Sequence, residues 1–150
     1  MKEWNSMDDI IDFAIGEEIA ASNFYTELAA NADRPAMRRV FEGFAREEQG
    51  HRDKLMAVKQ GAAFESRSET VTDLKIGDYL VDVTPSPGMS YQDALIVAMK
   101  KEKAAFRLYT ALAEQAPADD IRELFLGLAQ EEAKHKLRFE TEYDEMMKEN

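Results

Sequence analysis

Cysteine is absent from this chain of 150 residues. Its absence excludes disulfide bonds, iron–sulfur clusters and iron sites held by four thiolates. The apolar runs all stay shorter than the roughly 18 residues that a helix needs to cross a bilayer. The N-terminal segment MKEWNSMDD also lacks the apolar stretch of a signal peptide. We therefore expect a cytoplasmic protein with no membrane partner.

Positive charge and chain-breaking residues are scarce as well. The chain has 19 basic against 30 acidic residues, a net charge of -11, which argues against nucleic acid as a partner and suits the binding of cations. It contains only 7 glycines and 4 prolines, whereas 45% of its residues are hydrophobic. This composition is typical of a helical globular protein, and the length predicts a single domain over residues 1–150.

Histidine occurs only twice, and both histidines lie in similar segments. Residues 46–54 read REEQGHRDK and residues 130–138 read QEEAKHKLR. Residues 14–55 align without a gap with residues 98–139, at a constant offset of 84, and 16 of the 42 aligned pairs are identical. The chain is therefore an internal repeat of one structural unit.

Each copy of the repeat has the apolar periodicity of two helices. The predicted helices cover roughly residues 8–33, 35–62, 91–116 and 119–147. Pro35 suits the first position of a helix, and the short turns within each copy make antiparallel hairpins. Roughly residues 63–90 form the one long connection. The sequence thus predicts an all-α, antiparallel four-helix bundle made of two repeated hairpins joined by a long crossover.

The apolar seam of each predicted helix is interrupted once, by a glutamate or by Glu-x-x-His. Steps of three and four positions along each helix trace these seams. The interrupting residues are Glu18, then Glu48 and His51, then Glu102, then Glu132 and His135. At a rise of about 1.5 Å per residue, the interrupting residues of each hairpin lie at nearly one level above its turn. We therefore expect four carboxylates and two imidazoles to converge inside the bundle.

Four buried carboxylates without cations would repel one another and lose their hydration. Two divalent ions would cancel their charge, and bridging carboxylates could hold the ions at the spacing that two-metal chemistry uses. Oxygen and imidazole ligands without thiolate favour Fe or Mn, with Zn as a possible occupant. The pattern thus predicts a dinuclear metal site. The alternative is that each histidine follows a glutamate by chance on an apolar helix face.

Two tyrosines and two further glutamates accompany these residues. Tyr25 and Tyr109 lie seven residues after the lone glutamates, on the same seams. A buried phenol needs a hydrogen-bond partner, and we expect a ligating carboxylate to accept from each hydroxyl, with an ordinary core tyrosine as the alternative. Glu47 and Glu131 lie one residue off the seam. We expect them to be solvated or to support the ligands rather than to bind metal directly.

A lone glutamate on two helices, Glu-x-x-His on the other two, and a tyrosine seven residues after each lone glutamate resemble the rubrerythrin branch of the ferritin-like di-iron carboxylate superfamily. The resemblance covers about residues 8–147. It implies a ferritin-like four-helix bundle that forms a homodimer and holds two iron ions per chain, which react with hydrogen peroxide or O₂. The ligands that the resemblance implies are Glu18, Glu48, His51, Glu102, Glu132 and His135.

Two features depart from the family pattern. Typical rubrerythrins carry a rubredoxin domain, whose four cysteines hold the iron that supplies electrons. Because this chain has no cysteine, we expect an external donor such as a rubredoxin-like protein. Many rubrerythrins also have an extra glutamate on the third helix that exchanges with a histidine ligand. In this chain no glutamate is available for such an exchange. The positions one turn from Glu102 are Ala98, Met99, Ala105 and Phe106.

The resemblance implies a non-haem di-iron oxidoreductase that reduces hydrogen peroxide or O₂, and we expect a tyrosine hydroxyl or water to be the proton source. A second hypothesis is iron handling, in which Fe(II) is oxidised by O₂ and then stored or delivered. A third is a structural bundle that holds a metal without turnover.

Overall fold

The structure is a computed structural model that describes residues 7–60, 90–116 and 118–148. These residues form four helices, α1 (Met7–Ala30), α2 (Pro35–Gln60), α3 (Tyr91–Glu114) and α4 (Asp119–Lys148). No strand occurs within the described ranges, so the predicted all-α class is confirmed. The predicted crossover, apart from Ser90, lies outside the described residues. Of the helices that are described, none is long and apolar enough to cross a membrane.

The helices pack in pairs, α1 against α2 and α3 against α4. We call the first pair hairpin one and the second pair hairpin two. Backbone contacts divide the chain into two compact units, Met1–Asp73 and Leu74–Asn150, and each unit contains one hairpin. The two predicted hairpins are therefore confirmed. The single domain over residues 1–150 stays a prediction.

Local hydrogen bonds decide where the first turn begins. α1 ends at Ala30 instead of at the predicted residue 33. The amide of Ala32 donates to the carbonyl of Ala29 at 3.3 Å, a bond between residues three apart that tightens the chain and ends the α-helical pattern. Pro35 then begins α2, at a position where its missing N–H costs no hydrogen bond.

The start of α3 is capped by a side chain. Ser90 has extended backbone dihedrals, and its hydroxyl accepts a hydrogen bond from the amide of Asp93 at 3.1 Å. This bond satisfies one of the amides that a helix leaves open in its first turn. The Ser90–Asp93 pair therefore fixes the first turn of the helix that carries Glu102.

Each hairpin buries a seam of large apolar side chains. The fully buried ones include Ile10, Ile11, Tyr25, Phe41 and Leu55 in hairpin one, and Leu95, Tyr109, Leu112, Phe125, Leu128 and Phe139 in hairpin two. Burying one such side chain contributes roughly 1.5–3 kcal/mol to stability. The predicted seams are confirmed, and the polar interruptions lie in the middle of well-packed helices.

Candidate metal centre

Six ionisable side chains are buried where the seams are interrupted. These residues, none of which is more than 4% exposed, are Glu18, Glu48 and His51 in hairpin one and Glu102, Glu132 and His135 in hairpin two. We call the first three cluster one and the second three cluster two. Carboxylates are almost never fully buried unless they are paired or bind a metal. The burial of both clusters therefore needs compensating positive charge.

Cluster one is brought together by helical spacing and by the packing of α1 on α2. Glu48 and His51 are three residues apart on α2 and share one face, so that Nδ1 of His51 lies 3.1 Å from Oε1 of Glu48. Glu18 approaches the same nitrogen from α1, with its Oε2 3.4 Å away. One ligand atom from each of the three residues lies within 4.8 Å of the other two. The three side chains are close enough to share one cation.

Cluster two repeats this arrangement with the same atoms. Nδ1 of His135 lies 3.6 Å from Oε1 of Glu132, which is three residues earlier on α4. The same nitrogen lies 3.6 Å from Oε1 of Glu102 on α3. Here too, one ligand atom from each residue lies within 4.8 Å of the others. Cluster two has the composition of cluster one, with longer distances between the imidazole and both carboxylates.

The electrostatics of cluster one favour a positive charge at His51. Burial by itself lowers the pKa of this imidazole, because it disfavours the charged form. Hydrogen bonds to Glu18 and Glu48 and the attraction of their negative charges outweigh burial, and together they raise the pKa of His51 from 6.5 to about 10. With no cation bound, His51 therefore carries a proton at neutral pH. A metal ion has to displace that proton, because only the neutral imidazole binds metal.

The donor atoms of both clusters fit a divalent metal ion. Each cluster offers two carboxylates and one imidazole, and no thiolate is available because the chain has no cysteine. One divalent ion would neutralise the two carboxylates of one cluster, which offsets the cost of burying them. Carboxylate and imidazole ligands suit Fe, Mn and Zn. The residues present therefore fit the metal chemistry that the sequence predicts.

Both tyrosines that the sequence singles out are buried. The ring of Tyr25 contacts Phe44 edge-on, with centroids 6.0 Å apart, and contacts Phe24 at 5.4 Å. The ring of Tyr109 stacks on Phe125 at 6.3 Å. Aromatic packing thus holds both rings inside their hairpins. The hydrogen bond from each hydroxyl to a ligating carboxylate stays a prediction.

The two glutamates beside the seams lie at the edge of the clusters. Glu47 is exposed. Glu131 is half-buried, and one of its carboxylate oxygens lies 3.7 Å from Nζ of Lys134. Within the described part of the chain, the groups that are close enough to share a cation do not include either residue. The expectation that they do not bind metal directly stays a prediction.

Ser22 is a buried polar residue that the sequence pattern did not single out. It lies one helical turn after Glu18 on α1. Its hydroxyl donates to the carbonyl of Ala45 on α2 at 3.1 Å and accepts from Nε2 of Gln49 at 3.2 Å. The repeat contains a signal that could have found it. The first copy has a polar serine at a position where the second copy has the apolar residue Phe106.

Comparison with known proteins adds a family and a fold. The sequence matches a family model described as Rubrerythrin over residues 9–83 and 93–150. The structure is similar to that of a hypothetical protein from Pyrococcus furiosus, with a TM-score of 0.72 and 24% identity over 95% of this chain and 91% of the other. No curated protein matches the sequence. Together the two matches confirm the predicted ferritin-like four-helix fold class, and the family model implies that the protein binds metal.

Proposed function

Because this chain belongs to the rubrerythrin family, we propose that cluster one and cluster two together hold two iron ions, and that the protein reduces hydrogen peroxide or O₂ with electrons from an external donor. The main support is the burial of two clusters of identical composition at one repeat offset. Burying a charge costs several kcal/mol per ion unless it is compensated. A hairpin with a purely structural role would gain nothing from burying these charged side chains in its core.

Charge balance supports two divalent ions rather than one. The two clusters bring four carboxylates, with a charge of -4 when all are ionised, and two imidazoles that bind metal in the neutral form. Two ferrous ions carry the opposite charge. The glutamates and histidines of the two clusters would hold the ions, which would supply electrons for reactions at an O–O bond. Joining the two clusters into one dinuclear centre is a step of the proposal.

When bound, a pair of ferrous ions supplies the two electrons that break the O–O bond of hydrogen peroxide. Peroxide takes up two electrons and two protons and leaves as two water molecules. The glutamates and histidines hold the cations and keep bulk water out of the core. The hydroxyls of Tyr25 and Tyr109 supply protons through the hydrogen bonds predicted for them.

The reductant is a separate protein in this proposal. The 150 residues contain no cysteine to hold a second iron site of the rubredoxin type. The proposal assigns the return of two electrons after each turnover to a rubredoxin-like donor. The proposal further includes a homodimer in the cytoplasm, and the net charge of -11 supports cation uptake while it disfavours nucleic acid or an anionic membrane as a partner.

Stopped-flow mixing tests the proposed activity. The protein is loaded with Fe(II) under anaerobic conditions and mixed with hydrogen peroxide or with O₂, and the oxidation of iron is followed by absorbance. We expect rapid oxidation, with two electrons consumed per peroxide. Glu48→Gln removes a charge of cluster one and is expected to abolish this reaction. Glu42→Gln is the matched control, because it changes an exposed glutamate of the same helix.

The alternatives give different results. Absence of rapid oxidation by either oxidant would overturn the enzymatic proposal in favour of a structural metal site. Oxidation by O₂ that is much faster than oxidation by peroxide, in a cage of many subunits by native mass spectrometry, would indicate iron storage. Rapid oxidation by peroxide in a dimer supports the proposal.

A further inference from the structure

Ser22 links the two helices of hairpin one beside cluster one. Its hydroxyl donates to the carbonyl of Ala45 at 3.1 Å and accepts from the side chain of Gln49 at 3.2 Å. One hydroxyl on α1 thus contacts two residues of α2 that lie on the same face, one turn apart. Ser22 follows Glu18 by four residues, and Gln49 directly follows Glu48. The link therefore lies within about one helical turn of both carboxylates of cluster one.

Hairpin two has no equivalent of this link. At the repeat offset of 84, the three linking residues align with Phe106, Ala129 and Ala133. None of these side chains carries a hydrogen-bond donor or acceptor. The side chains at these three positions of α3 and α4 therefore cannot form the link that Ser22 and Gln49 form in hairpin one.

The distances from the imidazole nitrogen to the carboxylate oxygens are also shorter in hairpin one, the hairpin that has the polar link. In cluster one the imidazole nitrogen lies 3.1 Å and 3.4 Å from the two carboxylates. In cluster two both distances are 3.6 Å. Ligands that are already close together and held by their surroundings have less to lose in conformational freedom when a cation binds. The hairpin with the polar link thus has the better preorganised ligands.

We infer that Ser22 is a positioning residue that makes cluster one the tighter of the two cation sites, so that the first divalent ion enters hairpin one. The inference rests on the proposed metal centre. Ser22 acts through the backbone positions of Glu18 and Glu48, which it holds facing each other. The two ions of the centre are therefore bound with different affinities, although the two clusters have the same composition.

Titration of the metal-free protein with Co²⁺, followed by calorimetry and by visible absorption, tests this inference. We expect a tight and a weak binding step in the wild type. Ser22→Ala should weaken the tight step by about tenfold, the effect typical of residues that orient metal ligands. Ser22→Thr keeps the hydroxyl and should restore most of the affinity. His51→Ala should remove the tight step, whereas His135→Ala should remove the weak step.

Thr26→Val is the matched control. Its hydroxyl donates to the carbonyl of Ser22 at 2.9 Å, within α1, and does not link the two helices. The variant therefore loses a hydrogen bond one helical turn further along α1 and should keep both steps. Ser22→Ala removes only one oxygen, and Ala45 keeps its helical hydrogen bond, so we expect the variant to fold as judged by circular dichroism.

Two indistinguishable steps in the wild type would overturn the inference. So would a tight step that Ser22→Ala leaves unchanged, or one that survives in His51→Ala. None of these results contradicts the proposed dinuclear centre. Failure of the wild type to bind Co²⁺ at all would overturn the proposed centre itself, and the inference with it.

Discussion

Hairpin one and hairpin two carry the same ligands at the same helical positions, but different residues surround those ligands. Tyr25 packs edge-on against Phe44 in hairpin one. Tyr109, at the aligned position, stacks on Phe125 in hairpin two. The residue aligned with Phe44 is Leu128, so hairpin two has no aromatic ring at this position to contact Tyr109. The identical positions of the repeat thus supply the same ligands in both hairpins, whereas the positions that differ supply different packing around them.

The turns show the same divergence. Arg38 and Arg122 are identical residues at aligned positions. The guanidinium of Arg38 donates to the carbonyl of Ala32 at 3.3 Å, across the turn between α1 and α2. The guanidinium of Arg122 instead pairs with Asp119 of its own helix at 2.9 Å, an exposed contact worth less than about 1 kcal/mol. Identity at a repeat position does not ensure an identical contact.

The largest expected effect comes from removing one imidazole from either hairpin. His51→Ala or His135→Ala should reduce the metal content from two ions to one or fewer per chain, because each removes the only nitrogen ligand of its cluster. Metal analysis after dialysis measures this. Glu48→Ala should have the same effect. Retention of two ions per chain in any of these variants would contradict the ligand assignment.

The stability of the metal-free protein should depend on pH through His51. Because its pKa in the folded protein is raised from 6.5 to about 10, its stabilising contribution is complete below pH 6.5 and is lost as the pH rises through about 10. The contribution is on the order of a few kcal/mol. Urea unfolding of the metal-free wild type and of His51→Gln, between about pH 6 and about pH 10, measures it. We expect the difference between the two proteins to shrink with rising pH, and a constant difference would contradict the assignment.

Replacing the aromatic neighbour of each tyrosine by leucine should lower the free energy of unfolding more in hairpin two than in hairpin one. Phe125 is fully buried, whereas Phe44 is half-buried. Phe125→Leu is expected to lower the free energy of unfolding by about 1–2 kcal/mol, through lost packing and the lost ring contact with Tyr109. Phe44→Leu places the residue of hairpin two in hairpin one and should cost less than about 1 kcal/mol. Chemical denaturation of both variants checks the order, and equal losses would show that the neighbours are equivalent.

The smallest expected effect is a gain in stability at the aligned glycines Gly43 and Gly127. Both lie inside helices, where alanine is favoured over glycine by roughly 0.5–1 kcal/mol. A Cβ at Gly127 would meet no other atom of the described residues within 4 Å, and one at Gly43 would meet only the end of the Arg46 side chain, at 3.9 Å. Both substitutions to alanine should raise the melting temperature slightly. A decrease in melting temperature at either position would contradict the prediction, because the added Cβ meets no close atom in the described part of the chain at either glycine.

Much of the fold and of the candidate site could be predicted because both depend on periodicity. The spacing of three residues between Glu48 and His51 places both on one helix face, whatever surrounds them. Their distance from the turn places them opposite Glu18. Both relations depend on helical geometry and not on the details of side-chain packing. The seams, the hairpins and the membership of both clusters therefore followed from counting positions.

The finer features could not be predicted in this way. The link through Ser22 depends on the rotamer of one hydroxyl and on the exact separation of α1 and α2. The difference between the imidazole–carboxylate distances of the two clusters, a few tenths of an ångström, depends on the same details. The end of α1 at Ala30 was also missed, because two backbone hydrogen bonds between residues three apart, from Asn31 to Leu28 and from Ala32 to Ala29, decide it. Such features depend on side-chain geometry, which periodicity does not specify.

The matched distance of the ligands from each turn restricts how the chain can change in length. One residue inserted inside α1 after Glu18, or inside α2 before Glu48, would turn the ligands on one side of the insertion by about 100° and shift them by about 1.5 Å. The same holds between Glu102 and Glu132. Insertions and deletions in related chains should therefore be rare inside the helical parts of these two spans and should collect between the hairpins.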